Sequence, residues 1–211
     1  THPAQQHRGF ATRVVQDAVR MIREQGYDLA MLTTRLPGFY ARFGFREVPK
    51  MDGYECAVAA LARILSTSTY SLERLDYNHQ WPAIAAVYDD YSQGRTGLQV
   101  RDTRFWETWP RRGTFPYGFS SQLDALGLAA IADGQLVAYL AANISAEQSD
   151  LSVSELAHLR GHEQAALALL HAAARHFLSA GAQRALLRTG GNAPVVSLLE
   201  AQHVPLEVEA G

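Results

Sequence analysis

The chain predicts an α/β architecture on a mixed sheet. Three observations carry this. Near the start, a glycine turn is followed by helix, strand, helix and strand patterns in succession. Two apolar runs join at Asp133-Gly134, a hairpin signal. A long amphipathic helical pattern over Glu163–Ala180 stops at Gly181 and leads into a further strand pattern.

The bulk properties set the class. At 211 residues the chain holds one domain or two small ones. Apolar residues make up 47% and charged residues 19%, enough for a packed core. A net charge of −2 argues against a dedicated nucleic-acid binder, which carries a basic excess. The one cysteine, Cys56, excludes an intrachain disulfide and fits a reducing compartment. No signal-peptide pattern opens the chain. Its most apolar stretches are interrupted by Asp133, His171, Arg175 and His176, too often for a membrane helix. The expectation is a soluble, cytoplasmic protein without nucleic-acid or membrane partners. The chain begins without Met, inside what reads as a motif, as a fragment or a processed product would.

The elements follow in order. Pro3 biases His2 toward extended backbone. Gln6-His7-Arg8-Gly9-Phe10-Ala11 is a short turn entering a helix, on which Ala11, Val15, Ala18 and Ile22 recur at helical spacing. Gly26 suits the helix stop. Asp28–Thr34 reads as a short buried strand. Leu36–Phe43 reads as a short helix, with Pro37 tolerated in its first turn and Gly44 ending it. Phe45–Val48 starts another strand. Met51–Leu65 finishes this first domain as a strand, or a strand running into a short helix, and the polar run Ser66–Thr69 is the expected boundary. The domains are therefore expected at 1–65 and 70–211.

The turn has a specific physical reading. The first N–H groups of a helix lack partners within it, and the helix dipole adds positive charge there. A diphosphate supplies the missing acceptors. Gly9 allows close approach to the backbone, Ala11 is nearly as small, and His7 and Arg8 add charge at the rim.

Gln6-x-x-Gly9-x-Ala11 and the later Phe39-Tyr40-Ala41-Arg42-Phe43-Gly44-Phe45 together resemble the GCN5-related N-acetyltransferase (GNAT) superfamily. The first matches that family's Gln/Arg-x-x-Gly-x-Gly/Ala signature, and the second resembles its later helix–strand segment. The resemblance implies the acyl-CoA N-acyltransferase fold. It implies an acetyl-CoA pyrophosphate loop formed by Gln6, His7, Arg8, Gly9, Phe10, Ala11 and Thr12. It also implies that Tyr40 protonates the departing thiolate, a role suited to a phenol that stays protonated at neutral pH. The bland reading of Tyr40 is a buried aromatic beside Phe39 and Phe43. The family often carries an Asn shortly before the tyrosine, whereas Thr33, Thr34 and Arg35 stand here. Its first strands and helices, which often carry the general base, would precede Thr1, so no base is named.

From Tyr70 the pattern restarts. Tyr70–Leu75 reads as a strand and Trp81–Tyr91 as a helix. Phe105, Trp106 and Trp109 form an aromatic cluster on a helix stopping near Pro110. Leu126–Asp133 and Gln135–Ala142 form the hairpin. Strand Leu151–Leu159, helix Glu163–Ala180, strand Ala182–Thr189, helix Ala193–Gln202 and strand Val204–Glu209 complete the series. This order matches the acetyltransferase fold again, so the chain reads as tandem copies, the first incomplete at its N-terminus and the second degenerate. The second turn, His158-Leu159-Arg160-Gly161-His162-Glu163, puts a carboxylate where a small residue belongs; a packing role is expected for this copy. Cys56 reads as structural, because no partnering His lies in an identifiable motif. The histidines, including His158 and His162, complete no recognisable metal set, and no metal is expected. Arg111-Arg112 reads as a solvated loop and Gly190-Gly191-Asn192 as an ordinary turn.

The expected function is transfer of an acetyl group from acetyl-CoA to a primary amine by direct attack. The acceptor is open, and a homodimer is compatible with the sequence. The competing reading is a non-catalytic acyl-CoA-binding or interaction module built from degenerate copies; a weaker third is a purely structural fragment.

Overall fold

The computed structural model describes residues 2–48, 53–65, 69–95, 98–108, 126–144, 150–188 and 193–208. Two compact units are present, Thr1–Lys50 and Met51–Gly211.

In the first unit a short 3-10 turn, Pro3–Gln5, leads through the Gly9 turn into α1, Phe10–Glu24. Left-handed Gly26 follows its C-terminus, and the Tyr27 N–H donates back to the Ile22 carbonyl at 3.1 Å. The short helix α2, Pro37–Ala41, begins on its proline and is followed by left-handed Gly44. Asp28–Thr34 and Phe45–Val48 are not strands, contrary to the pattern of their sequences. A strand exists only where a neighbour completes its hydrogen-bond ladder, and no strand lies among the described residues of this unit. Leu29 and Met31, expected buried, are 74% and 79% exposed.

The second unit is built on one seven-stranded mixed sheet. Its elements are β1 (Tyr54–Ala57), α3 (Val58–Leu61), β2 (Ser71–Arg74), α4 (Tyr77–Ser92), α5 (Thr103–Thr108), β3 (Leu126–Ala132), β4 (Gln135–Ile144), β5 (Leu151–His158), α6 (Glu163–Ser179), β6 (Arg184–Leu187), α7 (Pro194–Ala201) and β7 (Glu207–Val208). From β2 onward this is the element order that the sequence predicts. The sheet order is β2-β3-β4-β5-β6-β1-β7. The one parallel pair is β5 with β6, joined by the α6 crossover; the other described pairs are antiparallel. Leu151–Val153 pair with β6, and beyond Val153 the strand pairs, among the described residues, with β4 alone. The end of β5 therefore runs free on one side before entering the turn to α6.

Two apolar cores cover the faces of the sheet. One gathers α6, α3 and α7 around Leu140, Leu151, Leu167, Leu170, Phe177 and Leu199. The other sets Ile84, Val87 and Tyr88 of α4 with Trp106 of α5 on Tyr139 and Ala157. Burial on both faces explains why β4 is apolar at nearly every position rather than alternating.

The domain division expected at Ser66–Thr69 moves to Lys50/Met51. The cause is β1, which pairs with β6 from Tyr54↔Leu187 to Ala57↔Arg184 and with β7 on its other side. Cys56, Val58, Leu61 and Ile64 enter the main core. Burial pushes the Cys56 thiol up to about 12, which agrees with a structural rather than nucleophilic cysteine. Of the other sequence expectations, Trp109, Arg111, Arg112 and Gly190–Asn192 lie outside the described residues.

Because β1 is an interior strand, its removal strips both β6 and β7 of a ladder. A chain starting at residue 66 is expected to lose the cooperative thermal unfolding that a chain starting at residue 51 retains, as followed by circular dichroism. In the intact chain, Leu61→Ala at a fully buried position should cost about 2–5 kcal/mol.

Candidate functional site

The first turn is shaped by two left-handed residues, His7 at φ 62° and Gly9 at φ 78°. A cupped backbone of this kind turns successive N–H groups toward one point. Gly9 is the N-cap of α1; no side chain caps the helix, and its first turn holds no acidic residue. The intrahelical ladder starts with the Arg13 N–H donating to the Gly9 carbonyl at 3.1 Å. The N–H groups of Phe10, Ala11 and Thr12 thus precede it, at the positive end of a 15-residue helix. Nothing lies within 4 Å of a Cβ added to Gly9, so packing does not demand glycine there. Its positive φ does, and so would a ligand approaching the backbone.

Arg8 is held at the rim. Its guanidinium donates to the Gln5 side chain and lies over the Phe10 ring, 5.4 Å from the centroid. Gln6, His7, Arg8, Gly9, Phe10 and Ala11 are all exposed, and Thr12 is half-buried.

Tyr40 stands on α2, half-buried, with its ring edge-on to Phe39 at 5.0 Å and Phe45 at 5.9 Å. Arg42 covers Phe39 at 4.8 Å and Phe43 at 5.7 Å, and its Nε donates to the Phe39 carbonyl. Phe43 joins Gln16, Val19, Arg20, Arg23 and Glu24 around an open groove of about 300 Å³, so the aromatic segment meets α1 within the first unit. Arg20 is engaged there by Asp17 at 2.8 Å and Glu24 at 3.7 Å.

The second unit also enters a helix through a left-handed glycine, between β5 and α6, with different chemistry. Gly161 has φ 84°, as Gly9 has φ 78°. Here the backbone donors are already satisfied. The Arg160 N–H donates to the Asp90 carboxylate at 2.9 Å and the Gly161 N–H to the Glu163 carboxylate at 3.0 Å. The Gly161 N–H and the residue's own N–H hold the Glu163 carboxyl below the usual range. Sequence reading identified Glu163 as out of place; it gave no sign of Asp90, which reaches the turn from the far end of α4.

A second cluster of polar side chains is buried on the sheet of the second unit. Arg101 donates through both terminal nitrogens to Glu155 at 2.8 Å, and Tyr139 donates to the same carboxylate. The Arg101 and Glu155 side chains are 2% and 9% exposed, with the guanidinium stacked on Tyr88 at 3.8 Å. Burial and the Glu155 charge raise the Tyr139 phenol. These groups answer one another and fasten the segment before α5 to the sheet. Among the described residues, no group of three or more His, Cys, Asp or Glu is placed to hold a metal ion, and no helix is long and apolar enough to cross a membrane.

Residues 1–48 match the family model described as an acetyltransferase (GNAT) domain. A comparison with curated proteins finds no match. Among solved structures, the chain is similar to a GCN5-related N-acetyltransferase from Anabaena variabilis, with 14% identity, a TM-score of 0.70 and coverage of 99% of this chain and 50% of that one. A conserved protein from Enterococcus faecalis, described as a probable N-acyltransferase, gives 14%, 0.71, 99% and 50% in the same terms. A GCN5-related N-acetyltransferase from Kribbella flavida gives 19%, 0.61, 99% and 47%. The chain thus spans about half the length of these proteins and shares their fold, an α/β fold on a mixed sheet.

The Arg101–Glu155 pair supplies a stability prediction. Arg101→Met should cost about 3–5 kcal/mol by stranding a buried carboxylate. Arg101→Met with Glu155→Gln should recover part of that loss in urea unfolding; an equal or larger loss would show that the pair is not the cause.

Proposed function

We propose that the chain carries the coenzyme-holding part of an N-acetyltransferase that moves an acetyl group from acetyl-CoA to a primary amine. The observation that carries this reading is the uncapped turn His7–Thr12, a left-handed glycine opening onto the bare N-terminus of α1, in the stretch that matches the GNAT domain model. A diphosphate completes what that turn lacks: acceptors for its N–H groups and negative charge for the helix dipole. Gln6 through Thr12 form the cradle, and Arg8, already fixed by Gln5 and Phe10, adds a cation at its edge.

The transfer then needs few parts. The amine nitrogen attacks the thioester carbonyl carbon and the new C–N bond forms. The C–S bond breaks as the tetrahedral intermediate collapses, and the thiolate takes its proton from the Tyr40 phenol. The amine gives up its own proton to a base or to water. Phe39 and Phe45 hold the Tyr40 ring edge-on.

In this reading the second unit is a divergent tandem copy and leaves coenzyme binding to the first. A cytoplasmic setting goes with the lone buried thiol.

Calorimetry with acetyl-CoA on the full-length protein should show binding, and Gly9→Val should raise Kd at least tenfold, about 1.4 kcal/mol. Unchanged affinity would place the cradle elsewhere. Tyr40→Phe should lower kcat by about 10²–10⁴ with little change in KM for acetyl-CoA. Binding without turnover across a panel of amines would favour a non-catalytic acyl-CoA-binding module instead.

A further inference from the structure

The end of α4 closes over a buried imidazole. His158, the last residue of β5, is 4% exposed. Its backbone is fixed by the sheet, where it pairs with Ala138, and the next N–H, that of Leu159, donates to the Val137 carbonyl at 2.8 Å. Its Nδ1 lies 3.0 Å from the Leu159 carbonyl. A carbonyl only accepts, so Nδ1 carries the proton of the neutral ring and Nε2 is the bare nitrogen. That Nε2 is buried with no hydrogen-bond partner among the described residues.

The covering side is held less firmly than the sheet side. Tyr91 stands edge-on to the His158 ring at 5.3 Å, and the Arg95 guanidinium lies over the Tyr91 ring at 4.0 Å. Asp90 accepts from the Arg160 N–H at 2.9 Å and pairs with the Arg160 guanidinium at 3.4 Å, and Arg160 also donates to the Gln93 side chain. The Arg160 and Asp90 side chains are 66% and 29% exposed, so their ion pair adds little. Earlier on the same helix, Ile84, Val87 and Tyr88 are buried in the core against the sheet. Residues 89–95 are thus the loosely tied end of an anchored helix, the kind of segment that opens without the rest of the fold.

Three charged groups act on the imidazole, Glu163 at the start of α6 and Asp90 and Arg95 at the end of α4. Burial holds the ring neutral, below the ordinary histidine range; the Leu159 carbonyl, Glu163 and Asp90 favour the charged form and Arg95 opposes it. A second proton would sit on Nε2, which has no acceptor in place, and a buried donor without an acceptor is costly. The sheet holds β5, so the ring gains water when the end of α4 moves away.

We propose that residues 89–95 are an acid-opened latch: when the His158 ring takes a second proton, the end of α4 lifts from the β5–α6 turn and breaks the Asp90–Arg160 link. Burial sets the direction. The open form takes up the proton in the ordinary histidine range and the closed form only below it, so closure is complete above that range and is lost as pH falls through it.

Amide hydrogen exchange on the intact chain, corrected for the intrinsic pH dependence of exchange, tests this between about pH 7.5 and about pH 5.5, where histidine titrates and ordinary carboxylates stay ionised. Over that range the Arg160 amide should lose protection by about tenfold or more, while Leu169 and Leu170 of α6 keep theirs. In His158→Gln, whose side chain cannot charge, the Arg160 amide should stay protected. Should that variant fail to fold, the wild type decides: the His158 ring proton and the Arg160 amide should shift in NMR with one common midpoint. A wild-type Arg160 amide that stays protected, a loss shared with Leu169 and Leu170, a loss that survives in His158→Gln, or two separate midpoints would overturn the proposal.

Discussion

A helix that starts after a left-handed glycine leaves backbone N–H groups that must find an acceptor. This chain meets that demand twice, with two different answers. Before α6 the acceptors are Asp90 and Glu163, and the turn is closed. Before α1 no side chain caps the helix and no acid stands in its first turn. The glycine φ values, 78° and 84°, are nearly the same. The turns differ in backbone, since Gly9 is itself the N-cap of α1 whereas Gly161 lies one residue before the N-cap His162, and in their acids: Ala11 stands two residues past the first glycine and Glu163 past the second, where Asp90 adds a carboxylate from elsewhere in the fold.

The second unit gives its turn a rigid mount. α6 is apolar along most of its length because it crosses from β5 to β6 against the sheet, with Leu167, Leu169, Leu170 and Phe177 fully covered. The turn begins beyond the part of β5 that pairs with β6, and its Arg160 and Gly161 N–H groups donate to carboxylates rather than to a strand. Asp90 and Glu163 supply what the ladder does not. On the other face, Arg101 and Glu155 do a similar service for the segment before α5, each buried charge answering the other. The Arg160 and Gly161 N–H groups and the Arg101–Glu155 pair are consumed by structure, whereas residues 6–11 at the Gly9 turn are exposed.

Much of the second unit was legible in the sequence. The Asp133-Gly134 turn, the apolar runs beside it, the Glu163 helix and its glycine stop each carry their local signal, and each formed where expected. Long-range partners were not legible. β1 pairs with β6 and β7 across more than a hundred residues, and nothing in Tyr54–Ala57 shows whether its neighbours lie before or after it. The compact units divide at Lys50/Met51, whereas the polar composition at Ser66–Thr69 marks a break in pattern. Asp90 was missed likewise: an acid near a helix end is ordinary until a turn 70 residues away donates to it. Asp28–Thr34 shows the opposite error. Its residues suit a strand, but a strand is a relation between two segments, and this one has no neighbour among the described residues of its unit.

The shape of the Gly9 turn was legible because it is local: a left-handed glycine, a small residue two places on, and a helix behind them. Amide hydrogen exchange on the full-length protein, with and without coenzyme A, tests its role most directly. The account predicts that coenzyme slows exchange at the amides of residues 7–12 while leaving residues 159–164 unchanged. Protection of the second turn, or of neither, would contradict it.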